Sequence, residues 1–170
     1  MKLKTLVAGV ALAVASAGSF AASALTFVSN GDGKSAFFGG AHLTGTWTDE
    51  FYFDLVTPGV IDGSAISVWL QPKQDWDFTS IVLSNGTNSW SFAPTATSTD
   101  GLEVYTLAPT TIGTGSYTLT ISGVVGGGAT SGSYGGNINI SAVPEPETYA
   151  LMLAGLGAIG MVASRRRAQR

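Results

Sequence analysis

Through the middle of the chain, apolar and polar residues alternate in short runs. Tyr117, Leu119 and Ile121 alternate with Thr118 and Thr120; Ile138 and Ile140 alternate with Asn137 and Asn139; Ile66, Val68 and Leu70 alternate with Ser67 and Trp69. A period of two turns one face of an extended strand toward a core and the other toward water. Such runs recur about every ten to fifteen residues over 25–142 without a helical period, which predicts an all-β fold, a single β-sandwich or jelly-roll domain. Strands are predicted near 25–29, 42–56, 64–71, 76–84, 88–93, 101–108, 115–124 and 134–142. Residues that favour turns fall between them: Pro58-Gly59, Asp62-Gly63, Asn85-Gly86, Asp100-Gly101 and Gly126-Gly127-Gly128. Of these, Asn85-Gly86 predicts a hairpin joining Ile81-Val82-Leu83 to Trp90-Ser91-Phe92.

Both ends break this pattern. Residues 1–24 carry Lys2 and Lys4, an apolar stretch over 6–15 and small residues ending in Ala22-Ser23-Ala24. These are the three parts of a secretory signal, so an N-terminal signal helix is expected, cut by signal peptidase after Ala24. At the other end, Val143-Pro144-Glu145-Pro146-Glu147-Thr148 precedes fifteen residues without a charge, 149–163, then Ser164 and Arg165-Arg166-Arg167. A helix of that run is about 22 Å long against a hydrocarbon core of about 30 Å, so a short C-terminal transmembrane helix over about 149–164 is expected to span only marginally. Arginines beside a hydrophobic segment stay cytoplasmic, which leaves the body outside and anchors it transiently in the inner membrane. Three regions result: a signal peptide at 1–24, a β-sandwich domain at 25–142 and a sorting tail at 143–170.

Charge sharpens the picture. Of eight basic residues, Lys2, Lys4, Arg165, Arg166, Arg167 and Arg170 lie in the two ends, leaving Lys34 and Lys73 against nine carboxylates in the body. No basic patch is available for phosphates, and nucleic acid is excluded as a partner. The chain has no Cys, which removes thiol catalysis, thiolate zinc sites and disulfides.

Val143-Pro144-Glu145-Pro146, the hydrophobic stretch after it and the cluster Arg165, Arg166 and Arg167 resemble the PEP-CTERM sorting signal of Gram-negative bacteria. The resemblance covers about the last 28 residues. It implies recognition and processing by the membrane-embedded exosortase, removal of the tail, and release to or retention at the cell surface, often in species that make exopolysaccharide.

The segment Trp47-Thr48-Asp49-Glu50-Phe51-Tyr52-Phe53-Asp54 is unusual. In an extended strand Trp47, Asp49, Phe51 and Phe53 share one face, which sets a carboxylate in an aromatic row. A charge there is costly unless it is paired or multiply hydrogen-bonded. Three readings follow: Asp49 is a structural acceptor for backbone N–H groups or hydroxyls, part of an open aromatic face that stacks on a sugar ring, or a metal ligand. Trp47, Asp49 and Phe51 also resemble the motif of the FxDxF subfamily of PEP-CTERM proteins, with Trp47 in place of the first Phe. Gly115-Ser116-Tyr117 and Gly132-Ser133-Tyr134-Gly135-Gly136 are similar to the later part of that domain, to which no activity is assigned.

Catalytic signatures are missing. Gly155-Leu156-Gly157-Ala158-Ile159-Gly160 fits a dinucleotide fingerprint but lies in the apolar tail with no strand before it. Gly33-Lys34-Ser35 lacks the glycine that a phosphate loop needs five residues earlier, where Val28 stands. His42 is the single histidine, expected at the surface or on a strand edge, and no Gly-x-Ser-x-Gly elbow exists. Asp75, Asp77 and Asp62 with Asp49 or Asp54 offer carboxylates for a glycosidase pair. Asn30-Gly31-Asp32-Gly33 resembles the opening of a calcium loop without its bidentate Glu.

These residues lead to an exported, non-catalytic surface or extracellular-matrix protein, with no catalytic residue, metal or cofactor and with signal peptidase and exosortase as partners. The alternative is a polysaccharide-binding module, in which Trp69, Trp76 and Trp90 form an exposed platform beside Asp75 and Asp77 and exopolysaccharide is the partner. Calcium binding and glycoside hydrolysis stand behind it.

Overall fold

The computed structural model describes residues 18–19, 22–31, 33–68, 75–97, 101–143 and 146–168. In chain order the strands are β1 (Gly18–Ser19), β2 (Ser23–Ala24), β3 (Val28–Asn30), β4 (Gly33–Leu43), β5 (Gly45–Leu55), β6 (Gly59–Val68), β7 (Asp77–Ser84), β8 (Ser89–Ser91), β9 (Ala93–Thr97), β10 (Leu102–Ile112), β11 (Gly115–Val125) and β12 (Ser131–Ala142), followed by the helix α1 (Pro146–Ala168). They form two sheets. The first runs β1-β5-β11-β7-β8, with β2 also on β5; the second runs β3-β4-β12-β6-β10-β9.

Strict alternation builds the interior. Tyr117, Leu119 and Ile121 of β11 lie beside Ile81 and Leu83 of β7 in one sheet, and meet one core with Ile61, Ala65 and Ile138 of the other. Each such side chain contributes about 1.5–3 kcal/mol when fully buried, so the shared core holds the two layers together as in a β-sandwich. The expected hairpin is present: Leu83 pairs with Trp90, Val82 with Ser91, and Gly86 turns the chain at a φ of 83°. Asn85 closes that turn by accepting the Asn88 N–H at Oδ1, 2.7 Å away.

Several boundaries differ from those the pattern predicts. Only the end of β4, residues 42–43, falls in a predicted strand, because Gly39 and Gly40 blank its alternation and Phe37 is 77% exposed where a core residue would be sought. The run predicted over 42–56 is divided by Thr44 into the end of β4 and all of β5. Asp62-Gly63 is not a turn: both lie inside β6, where Gly63 pairs with Leu107 and with Ile138. A Cβ at Gly63 would stand 2.7 Å from the Asn137 carbonyl oxygen, so close strand approach explains this glycine.

The ends need correction too. Most of the expected signal helix, residues 1–17, lies outside the described residues; Gly18–Ser19 and Ser23–Ala24 are extended and pair in parallel with β5. At the other end the segment is helical, but no helix among the described residues is long and apolar enough to cross a membrane. The uncharged run that suggested a transmembrane helix over 149–164 is framed by Glu147 and Arg165, too close together to fill a hydrocarbon core. Residues 150–161 of α1 are exposed along their whole length.

Candidate functional site

The polar cluster of the interior lies where the chain passes from one sheet to the other. Strand β4 ends in the second sheet, Thr44 breaks it, and β5 starts in the first at Gly45, whose φ of 141° favours glycine. The Thr44 Oγ1 donates to the Ala129 carbonyl at 2.7 Å and pins this corner. His42 and Asp49, seven residues apart, therefore face each other across the interior, each 6% exposed.

Their contact is direct. His42 Nε2 lies 2.7 Å from Asp49 Oδ2. Tyr134, from β12, donates its hydroxyl to the same oxygen. Aromatic rings close the cluster: Trp47 stacks on the imidazole with centroids 4.8 Å apart, and Trp76 lies 5.0 Å from His42 and from Tyr134. Gly40 makes room for the cluster, since a Cβ there would fall 2.6 Å from Asp49 Oδ2 and 2.9 Å from His42 Nε2. Burial, then the hydrogen bond to Asp49 and its charge, hold the Tyr134 phenol well above its ordinary pKa. Asp49 Oδ1 and Trp76 Nε1 are buried and find no hydrogen-bond partner among the described residues. A cleft of about 190 Å³ opens beside the cluster between Ser23, Gly40, His42 and Glu50.

Of the three readings of Asp49, this geometry matches the structural acceptor: the Tyr134 hydroxyl is a donor of the expected kind, and the imidazole of His42 stands where a backbone N–H or a second hydroxyl was expected. Trp47, Asp49 and Phe51 do share the inner face, Phe51 and Asp49 buried and Trp47 half-buried. His42 is corrected from a surface residue to a buried one; only Gly33–Ser35 of β4 pair with β3, so it sits on an edge strand yet faces inward. The sequence pattern does not reveal Tyr134 as the partner of Asp49: its glycine-flanked position is visible, but nothing local marks a tyrosine that meets Asp49 from 85 residues away.

The tryptophan platform is not formed by the residues described. Trp76 is 1% exposed in the core, Trp90 is half-buried against Tyr117 at 6.1 Å, and Trp69 lies outside the described residues. The proposed carboxylate pairs are dispersed as well. Asp54 accepts from Ser116 Oγ at 2.6 Å, and Asp62 accepts from Asn139 Nδ2 at 2.8 Å on the outer side of the other sheet. Asp75 and Asp77 instead neighbour Glu103, which accepts the Phe78 N–H at 2.8 Å and links the two sheets. Burial, followed by the charge of Asp75, raises the Asp77 pKa. Glu103 is raised by burial and by both aspartates, against the lowering effect of the Phe78 N–H. No group of three or more metal-binding side chains converges among the described residues. Asp32, in the resemblance to a calcium loop, is outside them.

In the tail, Val143 is exposed at the end of β12, Pro144 and Glu145 are outside the described residues, Pro146 opens α1, and Arg165, Arg166 and Arg167 belong to its last turns. The family model of the PEP-CTERM protein-sorting motif matches residues 142–167. A motif of this kind implies an exported protein processed by an exosortase and sorted toward the cell surface of a Gram-negative bacterium. Among curated proteins none matches the chain. Among solved structures, the pre-peptidase C-terminal domain of collagenase from Bacillus anthracis is similar with a TM-score of 0.31 and 17% identity, over 62% of this chain and 85% of that one.

Proposed function

We propose that this chain is an exported, non-catalytic surface or extracellular-matrix protein. Its signal is removed after Ala24, its β-sheet body is delivered outside the inner membrane, and its tail is processed by an exosortase. The observation that carries this reading is the sorting motif at residues 142–167, which follows directly on β12, an inner strand of the second sheet. A tail joined there leaves from a folded body. The non-catalytic part of the reading is supported by the chemistry of the core: the imidazole of His42, the carboxylate of Asp49 and the phenol of Tyr134 are turned on each other and buried. We read Trp47, Asp49 and Phe51, the FxDxF-like residues, as a structural motif that ties the two sheets. The polysaccharide-binding alternative loses Trp76 to the core and rests on no other observation.

Cell fractionation tests the reading. In cells with an intact exosortase, the product is expected outside the inner membrane and shorter than the chain at both ends. Without the exosortase, or with Pro144→Ala and Glu145→Ala together, the tail-bearing form is expected to collect with the inner membrane. The same distribution and length in all three strains would overturn it.

A further inference from the structure

The outer edge of β5 is covered by the segment that export removes. Among the described residues, Gly18 and Ser19 pair with Trp47 and Thr48, Ser23 and Ala24 pair with Phe51 and Tyr52, and the Leu25 N–H donates to the Tyr52 carbonyl at 2.9 Å. Cleavage after Ala24 takes away every one of these contacts except the last. At the far side of each sheet the edge is blunted: β8 has three residues, and β9 has five and contains Pro94. Short strands and proline are the usual protections of an edge. On the near side β4 and β5 have eleven residues each; β3 pairs with Gly33–Ser35 of β4, and among the described residues only the strands that cleavage removes, β1 and β2, pair with the outer side of 45–51.

We propose that this uncovered edge pairs with the same edge of a second copy, so that the mature protein is a two-fold dimer with a first sheet continuous across the axis. The proposal rests on the export reading above, because the edge exists only once residues 1–24 are gone. The occupant follows from length and charge. Leu25 still holds Tyr52, so pairing is open to the outward peptide groups of Thr46, Thr48 and Glu50, and antiparallel self-pairing over 45–51 centres on Thr48. Thr48 then faces Thr48 of the other copy, Glu50 faces Thr46, and Asp49 faces Trp47. No carboxylate opposes a carboxylate, which would be destabilising. The two Glu50 side chains lie two residues on either side of the axis, about 13 Å apart along the strands and beyond the screening length of physiological salt.

The backbone parity agrees. Because the Tyr52 carbonyl points outward to Leu25, the peptide groups of Glu50, Thr48 and Thr46 point the same way, while odd-numbered residues of β5 turn toward β11. In the centred register each of Thr46, Thr48 and Glu50 gives one N–H and receives one at its carbonyl, and the axis passes through a hydrogen-bonded Thr48 pair. The Thr48 side chain lies on the outer face, where its hydroxyl meets Ser122 Oγ at 3.1 Å, so it can be changed without entering the core.

The test uses the processed protein purified from an exporting host, its N-terminus sequenced first. Sedimentation is expected to show a dimer. T48K and T48E each place like charges face to face on the axis and are expected to weaken dimerisation by about tenfold or more, while an equimolar mixture of the two restores it. Because the chain has no cysteine, T48C gives a second measurement: an intermolecular disulfide is expected on oxidation, and none for S91C on the opposite edge β8. A monomer starting at Leu25, or T48K and T48E dimers as tight as the parent, would overturn the dimer and leave the export reading standing. A product that still carries residues 18–24 would overturn both.

Discussion

His42 and Asp49 join the two sheets directly, Nε2 to Oδ2 at 2.7 Å, from strands that share no ladder hydrogen bond. Seven residues separate them, and the chain changes sheet between them. Tyr134 adds a third attachment to the same oxygen from an inner strand of the second sheet. A buried carboxylate with two donors on one oxygen is held in place, and it holds those donors in return.

Replacing Asp49 by Ala removes the acceptor and leaves an imidazole and a phenol without it in the interior. Such losses cost about 1–3 kcal/mol, which for a domain of this size lowers the melting temperature by several degrees. Thermal melts of the two proteins check this, and an Asp49→Ala protein as stable as the parent would contradict the structural role. In a double-mutant cycle, Asp49→Asn and Tyr134→Phe are expected to couple by about 0.5–3 kcal/mol.

Alkaline stability follows from Tyr134. Its pKa in the folded protein is raised above the ordinary value of 10.0, so the unfolded phenol loses its proton first. The resulting stabilisation is complete below that value and is lost as pH climbs beyond it. Tyr105 is shifted in the same direction, chiefly by burial and then by Glu103 and Asp77, and adds to the slope. Melting temperatures measured from pH 8 to about pH 11 should fall more gently for Tyr134→Phe than for the parent. An unchanged slope would show that this phenol is not linked to folding.

Gly40 is predicted to tolerate no side chain. A Cβ would lie 2.6 Å from Asp49 Oδ2 and 2.9 Å from both His42 Nε2 and Tyr134 Cε1, three atoms that already hold each other. Gly40→Ala should therefore destabilise by about 1–3 kcal/mol, as overpacked interiors do. Denaturant unfolding measures it. If the cost is relieved in an Asp49→Asn, Gly40→Ala double variant, the clash is with the carboxylate.

The acidic group at the other end of β7 works against stability at neutral pH. Asp77 has a raised pKa, from burial first and Asp75 second, so the folded state prefers its protonated form. Stability from this group is present below its ordinary value of 3.8 and declines as pH rises through the raised one. Asp77→Asn is expected to raise the melting temperature slightly at pH 7 and to flatten the change between pH 7 and about pH 4.

The tail makes a cellular prediction. Arg165, Arg166 and Arg167 lie inside the matched sorting motif, so if they are part of the signal that is read, changing all three to Ser should impair processing and sorting. Fractionation and immunoblotting read the result, and unchanged processing would remove the arginines from the account.

What the sequence determined by itself was local. Alternation in β11 and β12, the turn at Asn85 and Gly86, and the charge pattern of both ends were legible because each depends on residues within a few positions of one another. Asp49 was legible as a problem: a carboxylate on an apolar face must find donors. Which donors it found was decided by the tertiary structure alone, since Tyr134 lies 85 residues away and His42 comes from a strand whose alternation is blanked by Gly39 and Gly40. The same holds for Trp76, equally suited by composition to an exposed platform or a core; packing over Gly123, which has no side chain to keep the indole away, put it inside. Sequence patterns record the periodicity of a strand, whereas the partner across a sandwich is chosen by how two sheets close on each other, and that choice leaves no mark within a single strand.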